Sequence, residues 1–130
     1  MIIDTSIVIA VITNEPHKRT IIELTQGVDL FAPASLHWEI GNAFSAMLKK
    51  KNINMAEIKK AIDNYYSIPI HFVESIDLKA VIEWCNELNI YAYDAYFIEC
   101  AKRLNMPLIT LDKKLQSAAK KVNIKIVEVL

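Results

Sequence analysis

Short apolar runs that alternate with longer stretches of helical spacing are the feature that most constrains how this chain can fold. Each run is too short for a helix and has the composition of a buried strand. Strands that alternate with helices are typical of a parallel sheet covered by helices on both faces. The sequence therefore predicts an α/β fold, a three-layer α/β/α sandwich with a mainly parallel central sheet. The predicted strands are Ile2-Ile3, Leu30–Ala32, Ile70–Val73, Leu108–Thr110 and Ile124–Val127.

Helical spacing is clearest over Leu36–Lys51, where apolar residues recur on one face. Asn54 and Glu57 form the pattern of a capping box, with Asn in place of Ser or Thr, and predict a second helix to about Tyr66. The run Ile7–Ile12 is wholly apolar, so its periodicity does not assign it to a helix or a strand. No repeat or Pro/Gly-rich linker divides the chain, which predicts a single domain over residues 1–130. Further helices are predicted at Asp77–Leu88, Asp94–Leu104 and Lys113–Lys121.

The composition excludes several classes of protein. Basic and acidic residues balance at 15 each, which argues against a strongly basic nucleic-acid coat but not against a local basic patch. With two glycines, the chain has neither a GxGxxG dinucleotide loop nor a P-loop. The first residues lack the pattern of a secretory signal, and no apolar run approaches the roughly 20 residues of a membrane span. Cys85 and Cys100 lack zinc-site spacing, and we expect them to be buried, reduced thiols of a cytoplasmic protein.

Four acidic residues lie at positions where a site in a parallel sheet would form. Asp4 and Asp112 each follow a predicted strand, and sites in such sheets gather beyond the carboxyl ends of the strands. Asp94 lies on the inward half of its predicted helix, and Glu39 lies at the edge of the apolar face of another. Each acid also has a local explanation. The three aspartates are candidate helix N-caps, and Glu39 is a candidate for stabilisation by the helix dipole.

Carboxylates gathered in one pocket repel one another unless a positive charge lies among them. Clusters of oxygen ligands suit Mg²⁺ or Mn²⁺, and Mg²⁺ commonly binds substrate phosphates as well. Such ions lower the pKa of a bound water and stabilise the attacking and leaving oxygens at phosphorus. If the four acids converge, the chemistry they indicate is metal-assisted hydrolysis of a phosphodiester bond.

The segments that contain these acids resemble a known family. They are "IIDTSIVIA", the helix that carries Glu39, "YDAYFIECAKRLNMPLITLDKKL" and the closing "IKIVEV". Over essentially the whole chain they resemble the PIN-domain ribonucleases, and among these the compact VapC-type toxins of toxin–antitoxin pairs. The resemblance implies a PIN-like fold, with a helix at Ile7–Ile12, and a metal-dependent endoribonuclease that hydrolyses RNA in the cytoplasm.

The resemblance also implies a role for each residue of the site. Asp4 and Asp94 are the expected principal ligands of Mg²⁺ or Mn²⁺, while Asp112 and Glu39 complete the site or orient the attacking water. The expected partners are RNA, a cognate antitoxin protein and a second copy of the chain, with no membrane. The alternative is a non-catalytic regulatory or scaffold domain whose acids are helix caps. Ser6 and Thr110 match hydroxyl positions of the family. Their hydroxyls are expected to hydrogen-bond the carboxylates or metal-bound waters. The alternative is that they serve as local caps.

Aromatic side chains offer a second possible contact with RNA, because exposed rings can stack on bases. Packing in the core or at an interface is the expectation we favour for them. The residues concerned are Trp38, Trp84, Tyr65, Tyr66, Tyr91, Tyr93 and Tyr96.

Overall fold

A computed structural model describes residues 1–130 and contains one five-stranded sheet in the order β3-β2-β1-β4-β5. All four pairings between neighbouring strands are parallel, so the sheet is wholly rather than mainly parallel. The strands are β1 (Ile2–Ile3), β2 (Leu30–Pro33), β3 (Ile70–Val73), β4 (Leu108–Ile109) and β5 (Ile126–Val127). The predicted α/β class is confirmed.

Seven helices connect and cover these strands. They are α1 (Thr5–Ile12), α2 (Lys18–Thr25), α3 (Ser35–Lys49), α4 (Met55–Ser67), α5 (Leu78–Leu88), α6 (Ala92–Leu104) and α7 (Lys113–Lys121). None of them is long and apolar enough to cross a membrane.

The central strand β1 positions the first acid. Ile2 pairs with Phe31 of β2 on one side and with Leu108 of β4 on the other, and both residues of β1 are almost fully buried. The chain first adds β2 and β3 on one side of β1 and then crosses to add β4 and β5 on the other. Such a reversal of strand order opens a crevice at the carboxyl ends of the strands, where ligands of α/β proteins usually bind. Asp4 directly follows β1 and therefore lies at this edge of the sheet.

The undecided apolar run is helical, as the family resemblance implied. Helix α1 covers Thr5–Ile12, and Ile7, Val8, Ile9, Ala10 and Ile12 are buried. The helix packs against α2, α3 and α4, so apolar side chains are needed on almost all its faces. A helix that is buried on all sides loses its amphipathic pattern, which is why periodicity did not assign it.

The other predicted elements differ from the structure mainly at their ends. The capping box at Asn54 is present, with both of its hydrogen bonds. Helix α6 begins at Ala92, two residues before its predicted start, which places Asp94 within the first turn rather than at the cap. Strand β4 ends at Ile109, so Thr110 lies just beyond it. Helix α2 was not predicted, because it buries a single residue, Ile21, and has no side-chain cap.

The two cysteines are unbonded, as expected, but only Cys100 is fully buried, while Cys85 on α5 is half-buried.

Candidate active site

Asp4 is the most deeply placed of the four candidate acids, with 5% of its surface exposed. It is the N-cap of α1, where its Oδ1 accepts a hydrogen bond from the backbone N–H of Ile7 at 3.2 Å. Burial is the main cause that raises the pKa of Asp4 to about 6, and the charge of Asp112 adds to it. Hydrogen bonds from Thr110, Ser6 and Ile7 act in the opposite direction. The predicted cap is therefore real, but it does not account for the depth of the carboxylate.

Two hydroxyls join Asp4 to the chain that leaves β4. Ser6 Oγ donates to Asp4 Oδ1 at 2.7 Å and accepts from the Leu111 backbone N–H at 2.9 Å. Thr110 Oγ1 donates to Asp4 Oδ2 and accepts from the Asp112 backbone N–H at 2.9 Å. Each hydroxyl thus uses its proton on the carboxylate and its lone pair on a main-chain donor. The expected contact of Ser6 and Thr110 with a carboxylate is present in both cases.

Gln116 is a member of this network that the sequence did not reveal. Its Nε2 donates to the Thr110 backbone carbonyl at 2.8 Å, and the side chain is buried. The contact ties the second turn of α7 to the end of β4 and so holds the backbone that presents the Thr110 hydroxyl. A lone glutamine in a helix gives no spacing signal, although its position four residues after Asp112 places it on the inward face.

Asp112 caps α7, as the local explanation proposed. Its Oδ1 accepts from the backbone N–H of Lys114 at 2.9 Å and of Leu115 at 3.4 Å. The side chain is exposed at the carboxyl edge of the sheet, two residues beyond Thr110. The cap occupies one carboxylate oxygen, which leaves the other available to a ligand.

Asp94 does not cap its helix. The N-cap position of α6 is Tyr91, which makes no side-chain capping bond, and Asp94 lies in the first turn. Burial raises the pKa of Asp94, the charge of Asp112 raises it further, and the ammonium of Lys114 lowers it. These influences show that the starts of α6 and α7 bring Asp94, Asp112 and Lys114 into one neighbourhood.

Glu39 lies on α3, beyond its first turn, and is half-buried. Burial is the main cause that raises its pKa to about 7, and the charges of Asp4 and Asp94 raise it further. The nearby hydroxyl of Thr5 lowers the pKa of Glu39 in part. Thr5 Oγ1 and Glu39 Oε2 nevertheless form no hydrogen bond, and both atoms are buried without a partner. The helix dipole, which favours the ionised form of an acid, does not govern this glutamate.

The four acids from four different elements therefore lie near enough for their charges to interact. Asp112 acts on Asp4 and Asp94, and both of these act on Glu39. Helix capping explains the positions of Asp4 and Asp112, but it explains neither Asp94 nor Glu39. An acidic pocket that the fold maintains against this repulsion is typical of a functional site.

The donor set fits a hard divalent cation. All four groups offer carboxylate oxygens, and Glu39 Oε2 is buried without a hydrogen-bond partner. No three His, Cys, Asp or Glu side chains lie close enough together to coordinate an ion in their present positions. Side chains that repel one another would have to close around the ion as it binds.

The aromatic residues divide into two groups. Tyr65 is buried, and Trp84 is half-buried with its Nε1 donating to Glu99 at 2.8 Å, as the expectation of packing required. Tyr96 is half-buried. The remaining rings lie on the surface, so packing in the core is wrong for them, while packing at an interface stays a prediction. These are Trp38, Tyr66, Tyr91 and Tyr93.

Comparison with known families assigns the fold. The sequence profile of the PIN domain family matches residues 1–121. The chain belongs to the PIN domain family. Members of this family are generally nucleases and typically use divalent metal ions. The predicted membership of the PIN family is thereby confirmed.

Solved structures show the same fold at low sequence identity. A crystal structure of PAE2754 from Pyrobaculum aerophilum is 21% identical, with a TM-score of 0.71 over 96% of this PIN domain and 81% of that chain. A second similar structure is VapBC2 from Rickettsia felis bound to a DNA fragment from the VapBC2 promoter. It is 17% identical to this chain, with a TM-score of 0.64 over 97% of this chain and 96% of that chain. No curated protein matches this PIN domain at the sequence level.

Proposed function

We propose that this PIN domain is a divalent-metal-dependent endoribonuclease and the toxin of a toxin–antitoxin pair. The observation that carries the proposal is the convergence of Asp4, Glu39, Asp94 and Asp112 at the carboxyl edge of the sheet of a PIN domain. Since all five strands share one sheet, we also treat residues 1–130 as one domain.

Asp4, Asp94, Asp112 and Glu39 are the residues that would hold Mg²⁺ or Mn²⁺. The chemistry that such an ion supplies is a hydroxide near neutral pH and stabilisation of negative charge at phosphorus. The buried oxygen of Glu39 without a partner supports this assignment, because a buried carboxylate normally has a hydrogen bond or a cation.

The side chains of the chain have separable roles in this proposal. Ser6 and Thr110 hold both oxygens of Asp4 in a fixed orientation. Glu39, half-buried beside the charges of Asp4 and Asp94, would complete the set of metal ligands or orient the attacking water. Lys114, whose charge acts on Asp94, is placed to attract an RNA phosphate to the pocket.

A cognate antitoxin is the expected protein partner. The VapBC2 structure from Rickettsia felis contains a relative of the same fold in a toxin–antitoxin complex. A homodimer is also expected from the family resemblance. The cytoplasm, where RNA and antitoxin are both present, is the expected location.

The alternative function is that of a non-catalytic regulatory or scaffold domain. The only observations that favour this alternative are the capping hydrogen bonds of Asp4 and Asp112. Glu39 and Asp94 argue against it, because neither contributes a cap and both reduce the stability of the metal-free protein when they are ionised.

Cleavage of RNA by the purified, antitoxin-free protein tests the proposal. We expect total cellular RNA to be cut in Mg²⁺ or Mn²⁺, and cleavage to stop in EDTA and in the Asp94→Asn variant. Cleavage that continues equally in EDTA and in Asp94→Asn would contradict metal-dependent catalysis at this site. A native-extract pull-down tests the partner: a small protein that co-purifies and inhibits cleavage is expected, and repeated recovery of the active chain alone would count against an antitoxin.

A further inference from the structure

An open cleft of about 560 Å³ lies beside the acidic pocket. Three aromatic rings line it, those of Trp38 on α3 and of Tyr93 and Tyr96 at the start of α6. Trp38 and Tyr93 have 67% and 54% of their surfaces exposed, and the Tyr93 and Tyr96 rings meet edge to face, with centroids 6.2 Å apart. Exposed aromatic groups that cluster at the rim of a pocket are typical of a surface that binds a ligand or another molecule.

The cleft and the acidic pocket are built from the same helices. Trp38 immediately precedes Glu39 on α3, and Tyr93 immediately precedes Asp94 on α6. Neighbouring residues on a helix point in directions about 100° apart, so each helix presents its acid to one space and its ring to the adjacent one. A ligand that reaches the acids with one group can therefore reach the rings with the next.

The walls of the cleft suit a flat, uncharged ring rather than a phosphate. Seven of its nine lining residues are hydrophobic, and the one charged group among them is the carboxylate of Glu74. Together with nearby Glu39 and Asp94, Glu74 makes the surroundings negative, which disfavours a phosphate within the cleft. The Glu74 carboxylate can instead accept hydrogen bonds from the polar edge of a base.

The outer wall is held in place by the rest of the fold. Glu74 and Ile76 belong to the segment between β3 and α5, and Arg103 Nη1 donates to the Ser75 carbonyl in the middle of it. This hydrogen bond joins the segment to α6, the helix that carries Tyr93 and Tyr96. A cleft that is formed before the ligand arrives loses less entropy on binding.

From these observations we propose that the cleft binds one unpaired nucleobase of the RNA substrate, next to the phosphate that is cut. The proposal rests on the proposed nuclease function and deepens it. Single-stranded RNA is commonly recognised by bases that stack on aromatic side chains. The base would stack against Trp38 and Tyr93, with its polar edge toward Glu74, while the adjoining phosphate reaches the four acids.

Binding of a free nucleoside tests the cleft separately from catalysis. The probe is adenosine, which has no phosphate, added to the full chain in EDTA and followed through the two tryptophan indole N–H signals by NMR. We expect a saturable shift of the Trp38 signal, assigned with Trp38→Phe, and no shift of the Trp84 signal, whose indole is bonded to Glu99. Absence of a Trp38 shift at about 10 mM adenosine, or equal shifts of both signals, overturns the proposal.

Cleavage kinetics test whether the cleft serves the substrate. We expect Trp38→Ala and Tyr93→Ala to raise KM for single-stranded RNA on the order of tenfold, as loss of one stacking contact should, with kcat changed less. Trp38→Phe keeps a ring and should recover much of the loss. The matched control is Tyr66→Ala, since Tyr66 is 68% exposed but lies on α4, outside the cleft.

The two experiments separate the failure of each proposal. Adenosine binding at Trp38 in a protein that cuts no RNA contradicts the nuclease function but leaves the base site standing. Cleavage whose KM is unaffected by Trp38→Ala and Tyr93→Ala contradicts the base site but not the nuclease. If these variants weaken only antitoxin binding, the cleft belongs to the protein partner and the proposal is wrong.

Discussion

At the scale of single residues, Asp4 shows how a carboxylate is kept almost fully buried. Three donors serve it: the hydroxyls of Ser6 and Thr110 and the backbone N–H of Ile7. They reduce the cost of burial without cancelling it, since the pKa remains raised to about 6. The two hydroxyls also accept hydrogen bonds from backbone N–H groups just beyond β4. They therefore join Asp4 to the segment that carries Asp112.

Thr110→Val tests this connection, because valine has the shape of threonine but no hydroxyl. We expect the free energy of unfolding to fall by about 1–3 kcal/mol, since Asp4 Oδ2 and the Asp112 N–H both lose their partner in a buried place. Urea unfolding measures the change. Thr110→Ser retains the hydroxyl and should lose less, so a smaller loss in Thr110→Val than in Thr110→Ser would mean that packing rather than hydrogen bonding holds the site.

Asp94→Asn tests whether the acids repel one another in the metal-free protein. Removal of one charge should raise the melting temperature in EDTA by a few degrees, because like charges at this separation and partial exposure cost on the order of 1 kcal/mol. The same variant should lose most of the stabilisation that Mg²⁺ or Mn²⁺ gives the wild type. Thermal melts with and without metal measure both effects.

Asp77→Asn is the matched control for this variant. Asp77 caps α5 through the Lys79 N–H at 3.0 Å, and asparagine is an equally good cap, so stability and the metal effect should stay as in the wild type. No metal-induced shift of the wild-type melting temperature would contradict the acidic site.

At the scale of helices and strands, the starts of α1 and α7 each combine a structural and a proposed chemical role in one aspartate. Asp4 and Asp112 cap these helices with an oxygen that points to backbone N–H groups. The position just after a parallel strand is both the usual start of the next helix and the edge where sites form. Capping and ligand binding are therefore not competing explanations for these two residues.

Two substitutions at Asp112 separate the roles. Asp112→Asn should keep the capping bonds to α7 and should not lower the free energy of unfolding in EDTA, since it also removes a charge that repels Asp4 and Asp94, but it should abolish cleavage. Asp112→Ala should also lose cleavage and should be about 1 kcal/mol less stable than Asp112→Asn. Asn54→Ala is the control, since it removes the capping box of α4 at a similar cost in stability and should not affect cleavage. Full activity of Asp112→Asn would show that Asp112 is only a cap.

At the scale of the whole molecule, the topology of the sheet creates the pocket. Parallel strands send all their carboxyl ends to one edge, and the crossing from β3 to β4 places acids on both sides of β1 there. The free energy that the core provides, from a cluster of 26 buried apolar residues, offsets the repulsion among these acids. Such a trade of stability for function is common at active sites.

This repulsion predicts how stability depends on pH. The folded-state pKa of Glu39 is about 7 against an ordinary value of 4.5, and that of Asp4 is about 6 against 3.8. At a pH between the ordinary and the folded-state pKa of each acid, the folded protein binds more protons than the unfolded chain. The free energy of unfolding should therefore fall as the pH rises from 5 to 7. Urea unfolding in EDTA at several pH values measures the slope.

Metal and substitution should each change this slope in a defined way. With Mg²⁺ or Mn²⁺ in excess the slope should become flatter or reverse, because the ion competes with protons for the same oxygens. Glu39→Gln should flatten the slope in EDTA, whereas Glu87→Gln, an exposed position on α5, should leave it unchanged. A slope that is identical in wild type and Glu39→Gln would mean that Glu39 does not titrate in this range.

Local pattern in the sequence determined most of the elements. Short apolar runs marked the strands, and the caps at Asn54, Asp77 and Asp112 marked helix starts, because these signals depend on neighbouring residues only. The acids of the candidate site were also visible as charges beside buried runs, and the family resemblance supplied their shared role. The sequence did not reveal α2, which has neither a cap nor a broad apolar face.

Tertiary structure alone decided which of these residues meet. The network of Asp4, Thr110 and Gln116 joins residues more than 100 positions apart with residues of the next helix, and nothing local records such a contact. The same holds for Trp38 and Tyr93, whose rings lie exposed on two helices at one cleft, where the sequence predicted packing in the core or at an interface. Sequence patterns report the preferences of short segments, whereas the burial of a charge or the exposure of a ring depends on how distant segments pack.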